Sequence, residues 1–340
     1  MKLYKYRCVM SSDGLHDNVG LVAENKLWVP NKEKLNDPTE LRINDLEFIT
    51  FLKKHKKYSQ HVEQLFKDLK HFVETSCGIF SLSKDVKNEL LWAHYANGHR
   101  GFCIEYDSDI IMESYNSGSL QKDNPQKILP LVQCLKVEYE SNLPVFKSNY
   151  LDAGQDLLAL KCLVATKSIN WEYEKEVRLV FDNHGEKEID YRAVTGIYFG
   201  TEFTDKEKRT EVMEKLQGRG IKYYEMKFYD NSYKMYHDEI VDEFAASPKY
   251  IANNLPFEDI IYSGMPRENI KYKDLAIRAL EYVSKEPCIN KIRSCYVSST
   301  PMIAIETCVN NDFKANQTKI YRFDIDEDMN EIRLRKLQLS

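Results

Sequence analysis

Residues 170–181 read NWEYEKEVRLVF, a run of alternating glutamates that leads directly into an apolar segment. If the run is extended, alternate side chains share one face of the strand. That face would then carry four charged side chains, Glu172, Glu174, Glu176 and Arg178. Three like charges at the entrance to a buried strand are costly to pack, so the cluster is either solvated or retained for chemistry. Arg178 is the counter-charge that would allow such a cluster to exist.

Strand and helix patterns are interspersed irregularly on both sides of this run. Residues 3–9 and 78–83 have patterns typical of strands, whereas residues 44–75 carry an apolar stripe at helical spacing. Val177–Phe181 is predicted to turn back and pair with Glu188–Tyr191 as a hairpin. This mixture favours an α+β fold over a doubly wound parallel sheet, with a mixed or antiparallel sheet at the core and flanking helices.

The pattern changes after residue 235. One helix is predicted near residues 237–246 and another at residues 267–285. Four short strands are predicted to follow, at residues 292–299, 302–309, 318–325 and 331–338. The sequence therefore predicts two units, an α+β domain at residues 1–235 and a small C-terminal α+β region at residues 236–340.

Composition limits the classes of protein to consider. The chain has 340 residues, of which 43% are hydrophobic and 30% are charged, as in ordinary globular proteins. Its net charge of -5 gives no global basic field of the kind that marks nucleic-acid-binding proteins. The eight cysteines form no C-x-x-C pair, and several lie inside apolar runs, so buried free thiols in a reducing cytosol are expected. No signal-peptide core or membrane-length apolar segment is evident, which predicts a cytoplasmic protein without membrane attachment.

Four polar clusters lie beside predicted strands: Lys5 with Arg7, Ser81 with Ser83, His94 with Tyr95 and His99, and the glutamates with Arg178. The first three have plain structural explanations. The basic pair would discourage aggregation at a sheet edge, the serines would cap a helix, and the ring residues would pack on an amphipathic helix. The sequence lacks the motifs of a glycine-rich phosphate loop, a serine nucleophile elbow and a zinc ribbon.

The glutamate cluster has the clearest chemistry. Neighbouring carboxylates raise each other's pKa values and can divide the roles of acid and base. A carboxylate also stabilises a developing cation in reactions that pass through an oxocarbenium ion. Glutamates at positions i and i+2 of a strand would point into one cleft, which suits chemistry at a ribosyl carbon.

Several longer motifs lie along the first two thirds of the chain. They are LYKYR at residues 3–7, LWVP at 27–30 with LNDPTE at 35–40, FSLS at 80–83 with LWAHYANGHRGFCI at 91–104, and KSINWEYEKEVR at 167–178. In these motifs, over about residues 1–230, the chain resembles a bacterial family catalogued as domain of unknown function 2971. The family name implies no activity.

Three shorter motifs follow one another in order: YKYR at residues 4–7, SLS at 81–83 and EKE at 174–176. They resemble the ordered motifs of ADP-ribosyltransferases, which are a strand with Arg or His near a Tyr, a Ser-x-Ser-like strand, and Glu-x-Glu at a strand start. The chain departs from that family in lacking the usual Thr of the second motif and in having Lys5 where some members have His. The resemblance implies an ADP-ribosyltransferase-like split sheet.

On this resemblance NAD is the substrate, and residues of this chain take the family's roles. Arg7 or Lys5 would contact the NAD ribose and phosphates, and Ser81 would shape the floor of the pocket. Glu176 would hydrogen-bond the nicotinamide ribose and stabilise the oxocarbenium-like state, with Glu174 assisting the acceptor. The full set that the resemblance assigns to NAD binding is Tyr4, Lys5, Arg7, Ser81, Ser83, His94 and Tyr95.

Three functions from different classes are open on the sequence alone. The first is NAD cleavage with transfer of ADP-ribose to a protein or nucleic acid, by a toxin or phage-defence effector. The second is a metal-dependent nuclease, with Asp37, Glu40 and the glutamate cluster as ligands of a divalent metal. The third is a non-catalytic sensor or interaction module, in which the glutamates form structural salt bridges with Lys5, Arg7 and Arg178. The C-terminal region would either provide a surface for a partner protein or complete the fold.

Overall fold

The computed structural model describes most of the chain, namely residues 1–9, 17–116, 132–152, 155–263, 271–297, 302–309, 318–326 and 330–335. Within these ranges, no helix is long and apolar enough to cross a membrane. All eight cysteines are free thiols, and five of them are buried, as the apolar runs around several of them predict.

The β-strands, numbered in chain order, are β1 (Lys2–Arg7), β2 (Lys26–Val29), β3 (Gly78–Ser83), β4 (Phe102–Asp107), β5 (Val132–Lys136), β6 (Glu138–Glu140), β7 (Thr166–Ser168), β8 (Glu176–Phe181), β9 (Gly185–Glu188), β10 (Val194–Phe199), β11 (Lys222–Phe228), β12 (Met235–Ile240), β13 (Ile289–Val297), β14 (Met302–Val309), β15 (Thr318–Asp326) and β16 (Glu331–Leu334). The α-helices are α1 (Asn18–Ala23), α2 (Leu46–Lys54), α3 (Lys56–Thr75), α4 (Glu89–Tyr95), α5 (Ser108–Asn116), α6 (Asp156–Val164), α7 (Lys206–Lys215), α8 (Glu258–Ser263) and α9 (Lys273–Ser284). Short 3-10 helices lie at Lys32–Lys34, Ser148–Leu151, Ile169–Glu174 and Tyr191–Ala193.

The core is an eight-stranded mixed sheet with strand order β12-β11-β10-β4-β1-β3-β8-β5. Neighbouring strands are antiparallel except β10 and β11, which are parallel. Two small ribbons, β2-β9 and β6-β7, lie beside this sheet. The predicted α+β class with a mixed sheet at the core is confirmed.

The large sheet is nearly divided between β1 and β3. β1 pairs with β4 along its whole length, and β3 pairs with β8 along its whole length. In contrast, β1 and β3 are paired at one position, Tyr4 opposite Ser83. Beyond that position Lys5–Arg7 and Phe80–Leu82 separate, since these described segments form no further pairing with each other. The sheet therefore consists of two halves joined at one residue pair, with a split between them.

Side-chain alternation along β8 places the two faces of the sheet in different cores. Val177 and Leu179 pack into the core formed with α1, α5 and α7, whereas Val180 packs into the core formed with α2, α3 and α6. Glu176 and Arg178 share the face of Val180, because alternate residues of a strand point the same way. All of β8 is buried, so these two charged side chains lie at the end of an apolar core.

The predicted hairpin between Val177–Phe181 and Glu188–Tyr191 is wrong. The segment after β8 forms β9, which pairs antiparallel with β2 in a separate ribbon. Both edges of β8 are already occupied, by β3 on one side and β5 on the other. The returning chain therefore has no free edge of β8 with which to pair.

The C-terminal region forms a four-stranded antiparallel sheet with strand order β13-β14-β15-β16. The apolar face of α9 packs on it, and their shared core includes Leu280, Ile305 and Phe323. The prediction of a helix followed by four strands is therefore confirmed over the described residues, and residues 267–270, 298–299 and 336–338 of the predicted ranges lie outside them.

The predicted helix at residues 237–246 is wrong, because Met235–Ile240 forms β12 and pairs antiparallel with β11. A turn joins the two strands, and Tyr229 N donates to Lys234 O across it at 3.1 Å. The pairing with β11 satisfies the backbone hydrogen-bonding groups of this segment, and the local sequence pattern does not predict that pairing. The large sheet thus extends past residue 235, into the range that the sequence assigned to the C-terminal region.

Candidate functional site

A cleft of about 970 Å³ opens at the split between β1 and β3. Its walls come from β1, β3, α4 and two further segments, at residues 28–40 and 167–176. The residues that the resemblance assigns to catalysis and NAD binding all line this cleft: Tyr4, Lys5, Arg7, Ser81, Ser83, His94, Tyr95, Glu174 and Glu176. The fold thus brings together segments that are far apart in the sequence.

The backbone before β8 departs from the extended conformation that the glutamate pattern predicts. Ile169–Glu174 forms a 3-10 helix, and Lys175 adopts a left-handed conformation with φ 48°. The strand begins at Glu176, so the prediction of one face with three glutamates is wrong. Glu172 is exposed, whereas Glu174 and Glu176 are 5% and 4% exposed and line the cleft. The irregular backbone therefore separates one solvated glutamate from two buried ones.

Two buried cations hold the buried glutamates. Arg178 donates from Nε to Glu176 Oε1 at 2.8 Å and from Nη2 to Glu176 Oε2 at 3.1 Å, and its Nη2 also donates to Glu40. Lys167 Nζ lies 2.6 Å from Glu174 Oε2, 3.3 Å from Glu40 Oε1 and 3.4 Å from Glu176 Oε2. We call these five residues the carboxylate network. Its three carboxylates share two cations, which leaves one net negative charge.

Electrostatics distinguish the glutamates of the carboxylate network. Burial opposes the ionisation of Glu176, but Arg178 and Lys167 outweigh burial and lower the pKa of Glu176 to about 2. At Glu40 burial dominates, and it raises the pKa above the ordinary glutamate value in spite of the same two cations. Glu176 is therefore ionised at neutral pH, and Glu40 takes up a proton before Glu176 as pH falls.

Hydroxyl groups from α4 and β3 fix the positions of the two cleft glutamates. The Tyr95 hydroxyl donates to Glu174 Oε1 at 2.7 Å while the network lysine holds Oε2, so both carboxylate oxygens are bound. Ser83 Oγ donates to the Glu174 carbonyl oxygen at 2.7 Å. The neighbouring Ser81 hydroxyl favours the ionised form of Glu176 and lowers the pKa of this carboxyl. The Ser-x-Ser motif thus acts on both glutamates, through the backbone of Glu174 and the charge of Glu176.

The β1 side of the cleft is cationic. Lys5 Nζ donates to Ser81 O at 2.6 Å across the split and lies 5.0 Å from the centre of the Phe80 ring. Burial, together with the neighbouring Arg7, lowers the pKa of Lys5 to about 7. Within the described part of the chain, the Arg7 guanidinium forms no hydrogen bond or ion pair. Arg7 and Lys5 are therefore available to an anion that enters the cleft.

Tyr4 and His94 line the cleft without contacting the carboxylate network. The Tyr4 hydroxyl donates to Glu105 Oε2 at 3.1 Å, and burial together with this carboxylate raises the pKa of Tyr4 to about 12. His94 is exposed on α4, and its ring lies 6.2 Å from the Tyr95 ring and 6.5 Å from the Tyr173 ring. Their assignment to NAD binding stays a prediction.

No sequence motif predicts a role for Lys167, and the sequence predicts Glu40 only as a metal ligand. A lysine shortly before an acidic run is a natural partner for it, and this was the available signal for Lys167. Glu40 ends a turn that the Asn-Asp-Pro sequence predicts, in which Asp37 Oδ1 accepts from Thr39 N at 2.8 Å. Its partners lie on β7 and β8, so its role depends on contacts that no local pattern contains.

The ligand set expected for a nuclease is not assembled as a metal site. The described residues contain no cluster of three or more His, Cys, Asp or Glu side chains placed to hold a metal ion. The three buried glutamates are bound to two cations, and Asp37 hydrogen-bonds within its own turn. Direct ion pairs with lysine and arginine take up the charge that a divalent metal would need.

The segment from α4 to the middle of β8 supplies His94, Tyr95 and most of the carboxylate network. Residues 91–179 match the family described as Protein of unknown function (DUF2971). The predicted resemblance to this family is confirmed over that segment. No curated protein and no solved structure matches the chain. The family description assigns no activity, so the function rests on the chemistry of the cleft.

Proposed function

We propose that the protein is an NAD-dependent ADP-ribosyltransferase. The observation that carries this proposal is the convergence of three separate motifs on one cleft. Residues 4–7 and 81–83 belong to β1 and β3, and residues 174–176 lead into β8; these three strands are neighbours in the sheet. The cleft, at about 970 Å³, has the size of sites that hold small molecules, which is roughly 300–1,000 Å³.

The charges of the cleft suit the charges of NAD. NAD carries an anionic diphosphate, and its ribose C1′ becomes cationic as nicotinamide leaves. Lys5 and Arg7 offer two cations to the diphosphate. Glu176, which Arg178 and Lys167 keep ionised, offers a fixed negative charge to the oxocarbenium-like ribose.

In the proposed reaction the bond between ribose C1′ and the nicotinamide nitrogen breaks, and its electron pair leaves with neutral nicotinamide. A nucleophilic atom of the acceptor forms the new bond to C1′ and gives up a proton. Glu174 assists the acceptor, because its carboxylate is fixed beside Glu176 by Tyr95 and Lys167. The acceptor is a protein or a nucleic acid, as in a toxin or a phage-defence effector.

One observation favours a different function, a non-catalytic sensor or interaction module. All members of the carboxylate network are buried and paired, as in a structural ion-pair cluster. Buried charges with shifted pKa values do not by themselves indicate catalysis. The two functions differ in what Glu176→Gln would do, since a purely structural network predicts loss of the fold.

Nicotinamide release tests the proposed function directly. The purified protein is incubated with NAD labelled in its adenylate part, alone and with candidate protein or nucleic-acid acceptors. We expect nicotinamide release, label on an acceptor, and an increase in Tm with NAD concentration, because a ligand that binds the folded state stabilises it. A protein that releases no nicotinamide, labels no acceptor and gains no thermal stability from NAD is not an ADP-ribosyltransferase.

Replacement of Arg7 is expected to weaken the binding of NAD. Loss of a hydrogen bond to a charged group costs about 1.5–3 kcal/mol, so Arg7→Met should raise the Kd for NAD about 10- to 100-fold. Calorimetry measures the affinity. The control is Arg100→Met, which alters an exposed arginine that does not line the cleft. Equal affinities of Arg7→Met and the unaltered protein would contradict the role of Arg7.

The affinity for ADP-ribose is expected to fall as pH rises above about 7, because the pKa of Lys5 is lowered to about 7. A bound diphosphate favours the ammonium form and raises this pKa. Binding above pH 7 therefore takes up a proton and weakens by up to about tenfold per pH unit. Calorimetric titrations from about pH 6 to about pH 9 measure the slope. Lys5→Met should bind weakly and without this slope; an unchanged slope would assign the proton to another group.

A further inference from the structure

Glu40 enters the carboxylate network from outside the three motifs. It ends the turn at residues 35–40, lines the cleft and is 5% exposed. Its Oε1 lies 3.3 Å from Lys167 Nζ, and its Oε2 accepts from Arg178 Nη2. Glu176 binds the same two cations. Glu40 and Glu176 therefore compete for the positive charge of Lys167 and Arg178.

The ionisation of Glu40 determines the net charge of the network beside the cleft. With three ionised carboxylates and two cations, the network carries one negative charge. If Glu40 were neutral, the two cations would balance Glu174 and Glu176 completely. Such a difference matters because charges in buried clusters are poorly screened by water. Glu40 is thus the residue that leaves Glu176 incompletely neutralised.

We propose that Glu40 is a positioning residue that keeps the carboxylate network negatively charged, so that Glu176 stabilises the ribosyl cation in the transition state. The inference rests on the proposed ADP-ribosyltransferase function. Glu40 acts through Lys167 and Arg178. Because it pairs with the same two cations, they neutralise Glu176 less completely, and Glu40 needs no contact with the ribose. Because the cation develops only as nicotinamide leaves, Glu40 should influence turnover more than NAD binding.

Protonation of Glu40 gives this role a pH dependence. The charged groups that face Glu40 are Arg178 from β8, Lys167 from β7, and Glu176. Burial raises the pKa of Glu40 above 4.5, whereas the pKa of Glu176 is about 2. As pH falls, Glu40 takes up a proton before Glu176, and this proton makes the network neutral. The acid limb of the rate profile should therefore lie above pH 4.5.

The test compares Glu40→Gln and Glu40→Asp with the unaltered protein in NAD turnover and NAD binding. Gln keeps the size of the side chain and an acceptor for Arg178 but removes the charge, whereas Asp keeps the charge. We expect Glu40→Gln to lower kcat by about 10- to 100-fold with KM nearly unchanged. This loss is smaller than the roughly 10²- to 10³-fold loss expected when a group that contacts the transition state directly is removed. Glu40→Asp should recover most of kcat. The acid limb should persist in Glu40→Asp and move to lower pH in Glu40→Gln.

Two results would overturn this inference while leaving the proposed function intact. One is a Glu40→Gln protein with unaltered kcat and pH profile, and the other is a parallel fall in kcat, NAD affinity and thermal stability that Glu40→Asp does not correct. If the unaltered protein releases no nicotinamide, the proposed function fails and the inference fails with it. If Glu40→Gln does not fold, the pH–rate profile of the unaltered protein tests the inference instead. An acid limb above pH 4.5 supports the inference, and a rate that stays constant down to about pH 4 overturns it.

Discussion

Glu176→Gln is expected to reduce nicotinamide release by about 10²- to 10³-fold while leaving the protein folded. Gln matches Glu in size and still accepts a hydrogen bond from Arg178. The buried cations keep partners, since Arg178 retains Glu40 and Lys167 retains both Glu40 and Glu174. The substitution therefore removes a negative charge from the cleft without leaving an isolated buried charge.

Glu172→Gln is the matched control, because Glu172 belongs to the same segment but is exposed and does not line the cleft. It should release nicotinamide at the unaltered rate. Circular dichroism and thermal denaturation establish whether each variant is folded. Equal losses of activity in the two variants would contradict a catalytic role for Glu176. An unfolded Glu176→Gln protein would instead favour the non-catalytic module.

Arg178→Leu is expected to lower the free energy of unfolding by about 3–5 kcal/mol, the usual cost of removing one partner from a buried ion pair. The guanidinium is fully buried, and it donates to Glu176, to Glu40 and, at 2.8 Å, to Val164 O. Without it, two buried carboxylates depend on Lys167. Such carboxylates bind protons more readily in the folded state, so the loss of stability should shrink as pH falls. Urea denaturation at neutral and at acidic pH measures both effects.

Arg192→Leu provides the comparison for this stability effect. Arg192 also binds two carboxylates, Asp190 at 2.6 Å and Glu286 at 2.9 Å, but its side chain is 41% exposed. Both carboxylates are buried, but solvent reaches the guanidinium and screens the pairs, so we expect a smaller loss of stability than for Arg178→Leu. If Arg178→Leu were as mild as Arg192→Leu, the carboxylate network would not be the stabilising unit that its burial indicates.

Elements with local signals could be predicted from the sequence. The alternation of LYKYR gives β1, and the C-terminal helix and its four strands follow from their own periodicity. Strand partners could not be predicted in the same way. Residues 177–191 read as a hairpin because the two segments are adjacent in sequence, yet both edges of β8 are occupied by other strands. Pairing is a property of the whole sheet, and β12 was misassigned for the same reason.

The same distinction between local sequence signals and tertiary contacts applies to the candidate site. Glu174, Glu176 and Arg178 stand in one run, so their chemistry follows from residue type and spacing. Lys175 carries no signal for its positive φ, since residues other than glycine seldom adopt that conformation. Glu40 meets its cations through contacts between distant segments, and neither its burial nor its pairing is present in the local sequence. The sequence thus identifies most of the charged groups of the candidate site, and the tertiary structure determines their charge state.

The split between β1 and β3 places peptide groups, and not side chains alone, on the floor of the cleft. Ile79 N donates to Pro30 O at 2.8 Å, on the edge of β3 that faces away from β8. The peptide groups of Ser81, two residues later, lie on the same edge, and its carbonyl accepts from Lys5. A ligand phosphate that attracts the Lys5 ammonium would release this carbonyl to the ligand. Because peptide groups do not change with residue identity, side-chain substitutions along β3 would leave this part of the cleft lining in place.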